Sequence, residues 1–221
     1  MEHIIQIKSI EHLSHDVKRF RCEKPEGYQF APGQATEVSI HKKGWEQERR
    51  PFTFTSLNES PFLEFTIKIY SDHPGVTNEL NTLKPGDELI VGDVWGAIEY
   101  KGPGYFIAGG AGITPFIAIL RQLKKENKLD GNKLFFSNKT DRDIILKEEL
   151  TEILNGSAIY TITDQPSNVY HSGYINKQFL KDHIDSLDKH FYLCGPPKMV
   201  EDLTSTLIRL GVAPNAVVFE K

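Results

Sequence analysis

Two stretches of this chain carry residue types that could do chemistry: Gly110-Ala111-Gly112-Ile113-Thr114-Pro115 and Arg50-Pro51-Phe52-Thr53. In the first, Phe106–Ala108 reads as a short buried strand, the glycines as a turn, and Thr114-Pro115 as the opening of a helix. Glycines at 110 and 112 let the backbone turn tightly and let an anion approach without meeting a Cβ. Thr114 is expected at the N-cap and Pro115 at the first helical position, where a missing N–H costs nothing. The free N–H groups and positive dipole end of that helix would suit a dinucleotide pyrophosphate. A third glycine would complete the usual dinucleotide fingerprint where Pro115 stands. A glycine turn before a helix is also an ordinary joint, so it gains meaning only from the rest of the chain.

In the second stretch, Pro51 holds Arg50 extended and so presents a cation at a fixed place. Alternation puts Arg50 and Phe52 on one face, an anion clamp beside a flat apolar platform. That pair suits a ligand with both phosphates and an aromatic ring system. A third indication lies at Ser137-Asn138-Lys139, where the second strand after the boundary ends. Rossmann-type sites for NAD place an acid near there, on the ribose hydroxyls. Here a hydroxyl and a cation stand first and no acid comes before Asp141, which favours NADPH, with Ser137, Lys139 and Arg142 as contacts.

The elements that must position these residues fall into two rhythms. Strands are expected at His3–Ile10, Val17–Cys22 and Ala35–Ile40, then along 63–69, where apolar and polar residues alternate. A short helix opens near Val76-Thr77, and Lys84-Pro85-Gly86-Asp87 turns into a strand at Glu88–Gly92. Many short strands with turn punctuation imply a small antiparallel β-barrel. Past Lys101-Gly102-Pro103-Gly104, strand and helix alternate: 105–108, 115–126, 133–136, 145–154, 158–163, 176–183, 191–194, 197–210 and 216–219. That rhythm implies a doubly wound parallel sheet with ligands at the carboxyl ends of its strands. The expected domains are therefore 1–101, a β-barrel, and 102–221, an α/β domain.

Composition narrows the class. At 39% hydrophobic and 25% charged, the chain reads as globular, and a net charge of −4 argues against nucleic acid. No apolar run reaches membrane-spanning length and the first residues lack a signal peptide's pattern, so a cytoplasmic protein without a membrane partner is expected. The two cysteines, 22 and 194, read as free thiols and are too few for an iron–sulfur cluster, and the scattered histidines give no metal site.

Taken together, the chain resembles the ferredoxin–NADP reductase superfamily along nearly its whole length. The flavin motif Arg-x-Tyr-Ser/Thr of that family appears as Arg50-Pro51-Phe52-Thr53, and Gly-x-Gly-x-x-Pro as 110–115. Pro32-Gly33-Gln34 matches the turn before its third strand, and Gly75-Val76-Thr77 its second flavin-phosphate segment. Cys194-Gly195-Pro196-Pro197 matches its Cys-Gly-Pro loop, while Asp143, Glu149 and Leu150 fit a further spacing. The resemblance implies that Arg50 neutralises flavin phosphate, Thr53 bonds flavin N5, and Ile67, Lys68 and Ile69 border the flavin. It places Cys194, Gly195 and Pro196 near the nicotinamide, and makes Thr53, Cys194 and Glu220 the catalytic candidates. Phe52 replaces the family's tyrosine, which keeps ring packing but removes a phenolic hydrogen bond. The sequence ends at Glu220-Lys221, without the aromatic residue many relatives place after that glutamate. Because alternation turns Thr53 away from Phe52, either the strand bulges there or the flavin wraps its edge.

The activity so implied is hydride transfer from NAD(P)H, preferably NADPH, to bound FAD, followed by single electrons to a carrier. An acidic flavodoxin or ferredoxin is the expected partner of a monomeric enzyme, docking on a basic patch of Lys42, Lys43, Arg49 and Lys68. FMN in place of FAD stays open at this level. So do the reductase component of an oxygenase and a non-catalytic binding module with a decayed flavin site.

Overall fold

The computed structural model describes residues 1–96 and 98–219. It divides into two compact units, Met1–Ala97 and Ile98–Lys221, each with its own core.

The first unit is a six-stranded antiparallel sheet: β1 (His3–His12), β2 (Val17–Glu23), β3 (Ala35–Ile40), β4 (Arg50–Thr53), β5 (Phe62–Lys68) and β6 (Glu88–Trp95). One helix, α1 (Val76–Leu80), lies between β5 and β6 in the chain. The spatial order is β4-β3-β6-β1-β2-β5. An isolated bridge between Phe54 and Phe65 joins the two ends of that order, so the sheet closes as a barrel. β1 serves both neighbours because it changes register between Ile7 and Ser9. Its first half pairs with β6 and its second half with β2. The bulge at Lys8 turns the strand without costing core packing, since Ile5 and Ile7 stay buried. Phe54 anchors the core, stacked on Phe30 at 4.2 Å and tilted on Phe65 at 5.3 Å.

One sequence expectation fails in β5. Alternation predicts that Glu64 and Thr66 face solvent, yet both are buried alongside Leu63, Phe65 and Ile67. The strand is buried on both faces, and the polar face is tied into hydrogen bonds and ion pairs rather than hydrated.

The second unit is a six-stranded parallel sheet built from β7 (Gly104–Gly109), β8 (Lys133–Asn138), β9 (Ala158–Ile162), β10 (His171–Ser172), β11 (His190–Cys194) and β12 (Val217–Phe219). Its order is β10-β9-β8-β7-β11-β12. Helices α2 (Thr114–Lys125), α3 (Lys147–Leu154), α4 (Lys177–His183) and α5 (Pro197–Leu210) alternate with the strands. Central β7 is buried throughout, as a strand covered on both faces must be. Tyr105 and Ile107 face the cluster containing Phe135, Phe179, Leu203 and Leu207. On the other face Phe106 meets Phe116 of α2 edge-on at 5.2 Å. The two-residue β10 was not expected; it is too short to leave a period in the sequence.

Asp185 ties the amino end of this sheet. It accepts from the Tyr105 hydroxyl at 2.6 Å and pairs with Lys133 at 2.7 Å and Lys189 at 2.9 Å. The Lys133 bond, then those of Tyr105 and Lys189, hold its carboxyl below the usual carboxylate range. Because the folded state releases this proton more readily than the unfolded chain, the stabilisation is present at neutral pH and lost in acid. Asp185 is half exposed, so Asp185→Asn should cost on the order of 1 kcal/mol or less at pH 7. Thermal melts of both proteins from pH 7 to pH 3 should show the gap closing as pH falls; a constant gap would assign the loss to packing.

Candidate functional site

The flavin motif lies on a strand with one free edge. β4 pairs with β3 in regular register, Ala35 opposite Thr53 and Val38 opposite Arg50. Its other edge meets β5 at the Phe54–Phe65 bridge and through the Thr55 N–H, which donates to the Glu64 carbonyl at 2.8 Å. Continued in that register, the ladder would set Thr53 opposite Thr66 and Arg50 opposite Ile69. Among the described residues it does not continue, and β4 has β3 as its sole ladder partner. The strands part into a mouth with 50–53 on one lip and 66–69 on the other. Main-chain groups on such lips are left to solvent or to a ligand. A flavin, a planar ring with donors and acceptors along its edge, fits that opening. Between a bulge at Thr53 and a ligand wrapping the strand edge, the structure has the regular strand and the open edge.

The side chains divide into those that face out and those that belong to the core. Arg50 is exposed; its guanidinium donates to the Arg49 carbonyl at 2.6 Å and lies 3.8 Å from the Glu48 carboxylate. Pro51 is exposed and Thr53 half-buried. Phe52 packs in part on the barrel core, so its ring stands only half clear beside Arg50. Ile67 and Ile69 are core side chains, which leaves only their main chain to meet a ligand. Lys68 is paired with Asp16 at 2.8 Å. Gly75 is the extended N-cap of α1, and a Cβ added there would meet nothing within 4 Å. Val76 is core and Thr77 half-buried.

In the second unit the glycine turn is tighter than expected. Residues Gly110–Ile113 form a 3-10 turn that runs straight into α2. Thr114 therefore lies inside the helical path, with φ −57° and ψ −45°, and does not cap it. Extended Gly109 takes the capping position one turn earlier. Pro115 does occupy the first turn of α2, where Ile113 is buried and Thr114 half-buried.

The two glycines do different work. Gly110 has φ +52°, and open space where a side chain would go, so it supplies both the turn and the clearance. Gly112 is needed for packing: a Cβ there would sit 2.3 Å from the Cys194 carbonyl oxygen. A Cβ on Gly109 would sit 2.5 Å from Met199 Sδ and 2.9 Å from Pro196 Cδ. The glycine turn after β7 and the Cys-Gly-Pro loop after β11 thus interlock at backbone distance. Cys194 and Gly195 are half-buried and Pro196 exposed.

At the end of β8, Ser137 is half-buried and Lys139 and Arg142 are exposed. Asp143 is tied back to Thr140, from its N–H at 2.7 Å and its hydroxyl at 2.8 Å. Glu149 takes Arg121 through both carboxylate oxygens, at 2.6 and 2.9 Å, and Leu150 is core, so this spacing is structural in the first instance. Asn138, which sequence reasoning passed over, is 4% exposed and neither its Oδ1 nor its Nδ2 has a hydrogen-bond partner. A buried amide without partners at the carboxyl end of a central strand fits a dinucleotide site. Its position between Ser137 and Lys139 was the available signal. Phe219 packs against the core, and Glu220 lies outside the described residues.

Comparison with known proteins agrees with this geometry. An oxidoreductase FAD-binding domain family matches residues 4–100, and an oxidoreductase NAD-binding domain family matches residues 106–205. NADH–cytochrome b5 reductase 1 of Arabidopsis thaliana is 31% identical over 92% of this chain and 78% of its own length. The chain belongs to the ferredoxin–NADP reductase superfamily. NADH-cytochrome b5 reductase 2 of Danio rerio is 27% identical over 91% of the chain and 78% of its own length. The corresponding protein of Botryotinia fuckeliana is 31% identical over 90% of the chain and 63% of its own length. A ferredoxin NADP+ reductase from Neisseria gonorrhoeae, solved with FAD and NADP, superposes with a TM-score of 0.87 at 21% identity, covering 99% and 98% of the two chains. The cytochrome b5 reductase domain of Ulva prolifera nitrate reductase gives 0.85 at 24% identity, covering 99% and 97%. The chain is accordingly an NAD(P)H-dependent flavoprotein oxidoreductase.

Two features of this reductase correct or refine the sequence reading. The basic patch is largely neutralised: Lys42 pairs with Glu79 at 2.6 Å, Arg49 with Glu2, and Lys68 with Asp16. The thiols differ in kind. Burial, helped by Glu23, pushes the Cys22 thiol up to about 12, whereas Cys194 is half-buried.

At pH 8 about one Cys22 in ten thousand is a thiolate, since its value lies near 12. An aromatic disulfide reagent should therefore titrate one thiol per native chain, and none in Cys194→Ser; two reacting thiols would contradict the burial of Cys22. Gly112→Ala should lower the flavin-free thermal midpoint more than Gly110→Ala, which meets only the cost of a positive φ, about 1 kcal/mol. Overpacking against the Cys194 carbonyl is worth roughly 1–3 kcal/mol. Equal melting points would place the Cys194 loop further from the glycine turn.

Proposed function

We propose that this chain passes a hydride from NADH to bound FAD and hands the electrons singly to a small haem carrier of the cytochrome b5 type. The observation that carries the choice of carrier is that relatives 31% and 32% identical, of which the chain covers 78% and 71%, are named NADH–cytochrome b5 reductases. Those names also move the nicotinamide preference from NADPH, favoured by Ser137 and Lys139 alone, to NADH. They displace flavodoxin and ferredoxin as the expected acceptors.

FAD supplies the chemistry of accepting a hydride and releasing electrons one at a time. The protein supplies position and charge. Arg50, exposed beside the mouth, binds flavin phosphate in exchange for its weak surface contact with Glu48. Thr53 presents its hydroxyl and main chain at the β4 edge, and Gly75 leaves room for the second phosphate, which favours FAD over FMN. Gly110 admits the nicotinamide pyrophosphate, and Asn138 gives its unpartnered amide to the dinucleotide. Cys194, fixed by its carbonyl against Gly112, borders the nicotinamide. Two cysteines outside any disulfide, one buried and one half-buried, support the reading of a reducing, cytoplasmic compartment.

Purified protein should be yellow, release FAD on denaturation, and show a higher kcat/KM with NADH than with NADPH. Arg50→Ala should weaken FAD binding roughly tenfold to hundredfold, the worth of a charge-assisted hydrogen bond, and Arg49→Ala much less. Anaerobic stopped-flow reduction of cytochrome b5, a ferredoxin and a flavodoxin ranks the acceptors. Faster reduction of a ferredoxin would restore an iron–sulfur partner, including an oxygenase's. A colourless protein that takes up neither FAD nor FMN would leave only the non-catalytic binding module.

A further inference from the structure

The closed end of the β4–β5 mouth holds a buried charged cluster that the roles above do not use. Glu64 on β5 is 2% exposed, and Thr55, Ser56 and Thr66 beside it are also buried. One Glu64 carboxylate oxygen accepts the Thr55 hydroxyl at 3.0 Å. The other accepts Arg21 Nε at 3.0 Å; Arg19 Nε, 3.9 Å away, donates instead to the Glu11 carboxylate at 3.2 Å. The main chain closes the same corner. The Thr55 N–H donates to the Glu64 carbonyl at 2.8 Å, and the Glu64 N–H donates to Ser56 Oγ at 3.0 Å. The Thr55 and Thr66 hydroxyls lie 3.2 Å apart. Arg21 and Arg19 on β2 stand opposite Glu64 and Thr66 in the β2–β5 ladder.

Burying a carboxylate is costly, and well-packed apolar side chains would close a barrel corner more cheaply. A hydrogen-bonded ion cluster gives instead a fixed distance between the elements it joins. Here it joins β2, β5 and the exit of β4, at the point from which the two lips diverge. Thr53 is two residues before Thr55, and by alternation on the same face as the cluster. We propose that Glu64, held by Arg21, is a positioning residue that sets the opening of this mouth and, through Thr55, the place of Thr53 against the flavin. The proposal rests on the flavin reading above.

The test uses the full chain and three variants: Glu64→Gln, Thr55→Val and the double variant. FAD affinity is read by quenching of flavin fluorescence on titration of flavin-free protein, and the bound flavin's midpoint potential by dye equilibration. Glu64→Gln should weaken FAD binding on the order of tenfold and shift the midpoint potential. Thr55→Val should do the same more weakly, and the double variant less than the sum, since both act through one bond. Unchanged affinity and potential in Glu64→Gln and Thr55→Val, whatever their melting points, would overturn the proposal and leave the cluster a support of the fold. Should Glu64→Gln fail to fold, Thr55→Val alone decides by the same two readouts. Wild type that binds no FAD would remove the flavin reading itself; wild type that binds while the variants match it removes only the positioning role.

Discussion

Backbone hydrogen-bonding groups must find partners, and in the first unit the stretch where β4 and β5 separate leaves one edge of each strand without a ladder partner among the described residues. β3 holds β4 on its inner edge in unbroken register. The Phe30, Phe54 and Phe65 rings fix the point at which the two strands last touch. A flavin motif on a fully paired central strand would have its main chain committed to neighbours. On a strand that loses its partner after one bridge, the same residues can present both backbone and side chain to a planar heterocycle.

The second unit solves its own problem by removing side chains instead of hydrogen bonds. A pyrophosphate needs bare backbone, and the tight approach of β7's turn to β11's loop needs the same. Gly110 leaves the clearance that the first would need, and Gly112 meets the second. Because the Cys194 carbonyl rests against Gly112, the glycine turn and the thiol-bearing loop cannot be displaced separately. Met199, reaching over Gly109 from the first turn of α5, closes the arrangement from above.

Much of the fold was legible because local preference and tertiary packing agree. Helix α5 runs from Pro197 to Leu210 and stops at Gly211, whose φ of +105° only glycine adopts cheaply. The alternation of strands and helices past Gly104 needed no more than apolar periodicity. Where the reading failed, a partner distant in sequence had decided the matter. Thr114 is a good N-cap by type, but the glycine turn starts the helical path before it. Glu64 looks solvent-facing until Arg21 is brought across from β2. The order of the motifs identified the family and fold, yet not which atoms each residue exposes: Ile67 and Ile69 bury their side chains, and Phe52 gives part of its ring to the core. Asn138 escaped notice because an unsatisfied amide is a property of surroundings, which a residue letter does not carry.

The pairing of Lys42, Arg49 and Lys68 with nearby acids bears on how an electron carrier reaches this protein. Opposite charges a few ångströms apart cancel beyond a Debye length, about 8 Å at physiological ionic strength. Such a patch offers little long-range guidance to a diffusing partner, and association through it would proceed at the unsteered rate, on the order of 10⁵–10⁶ M⁻¹s⁻¹. Complexes formed by short-range fit alone are brief and numerous rather than rare and lasting. Capture through this face would then respond to the carrier's concentration and hardly at all to ionic strength.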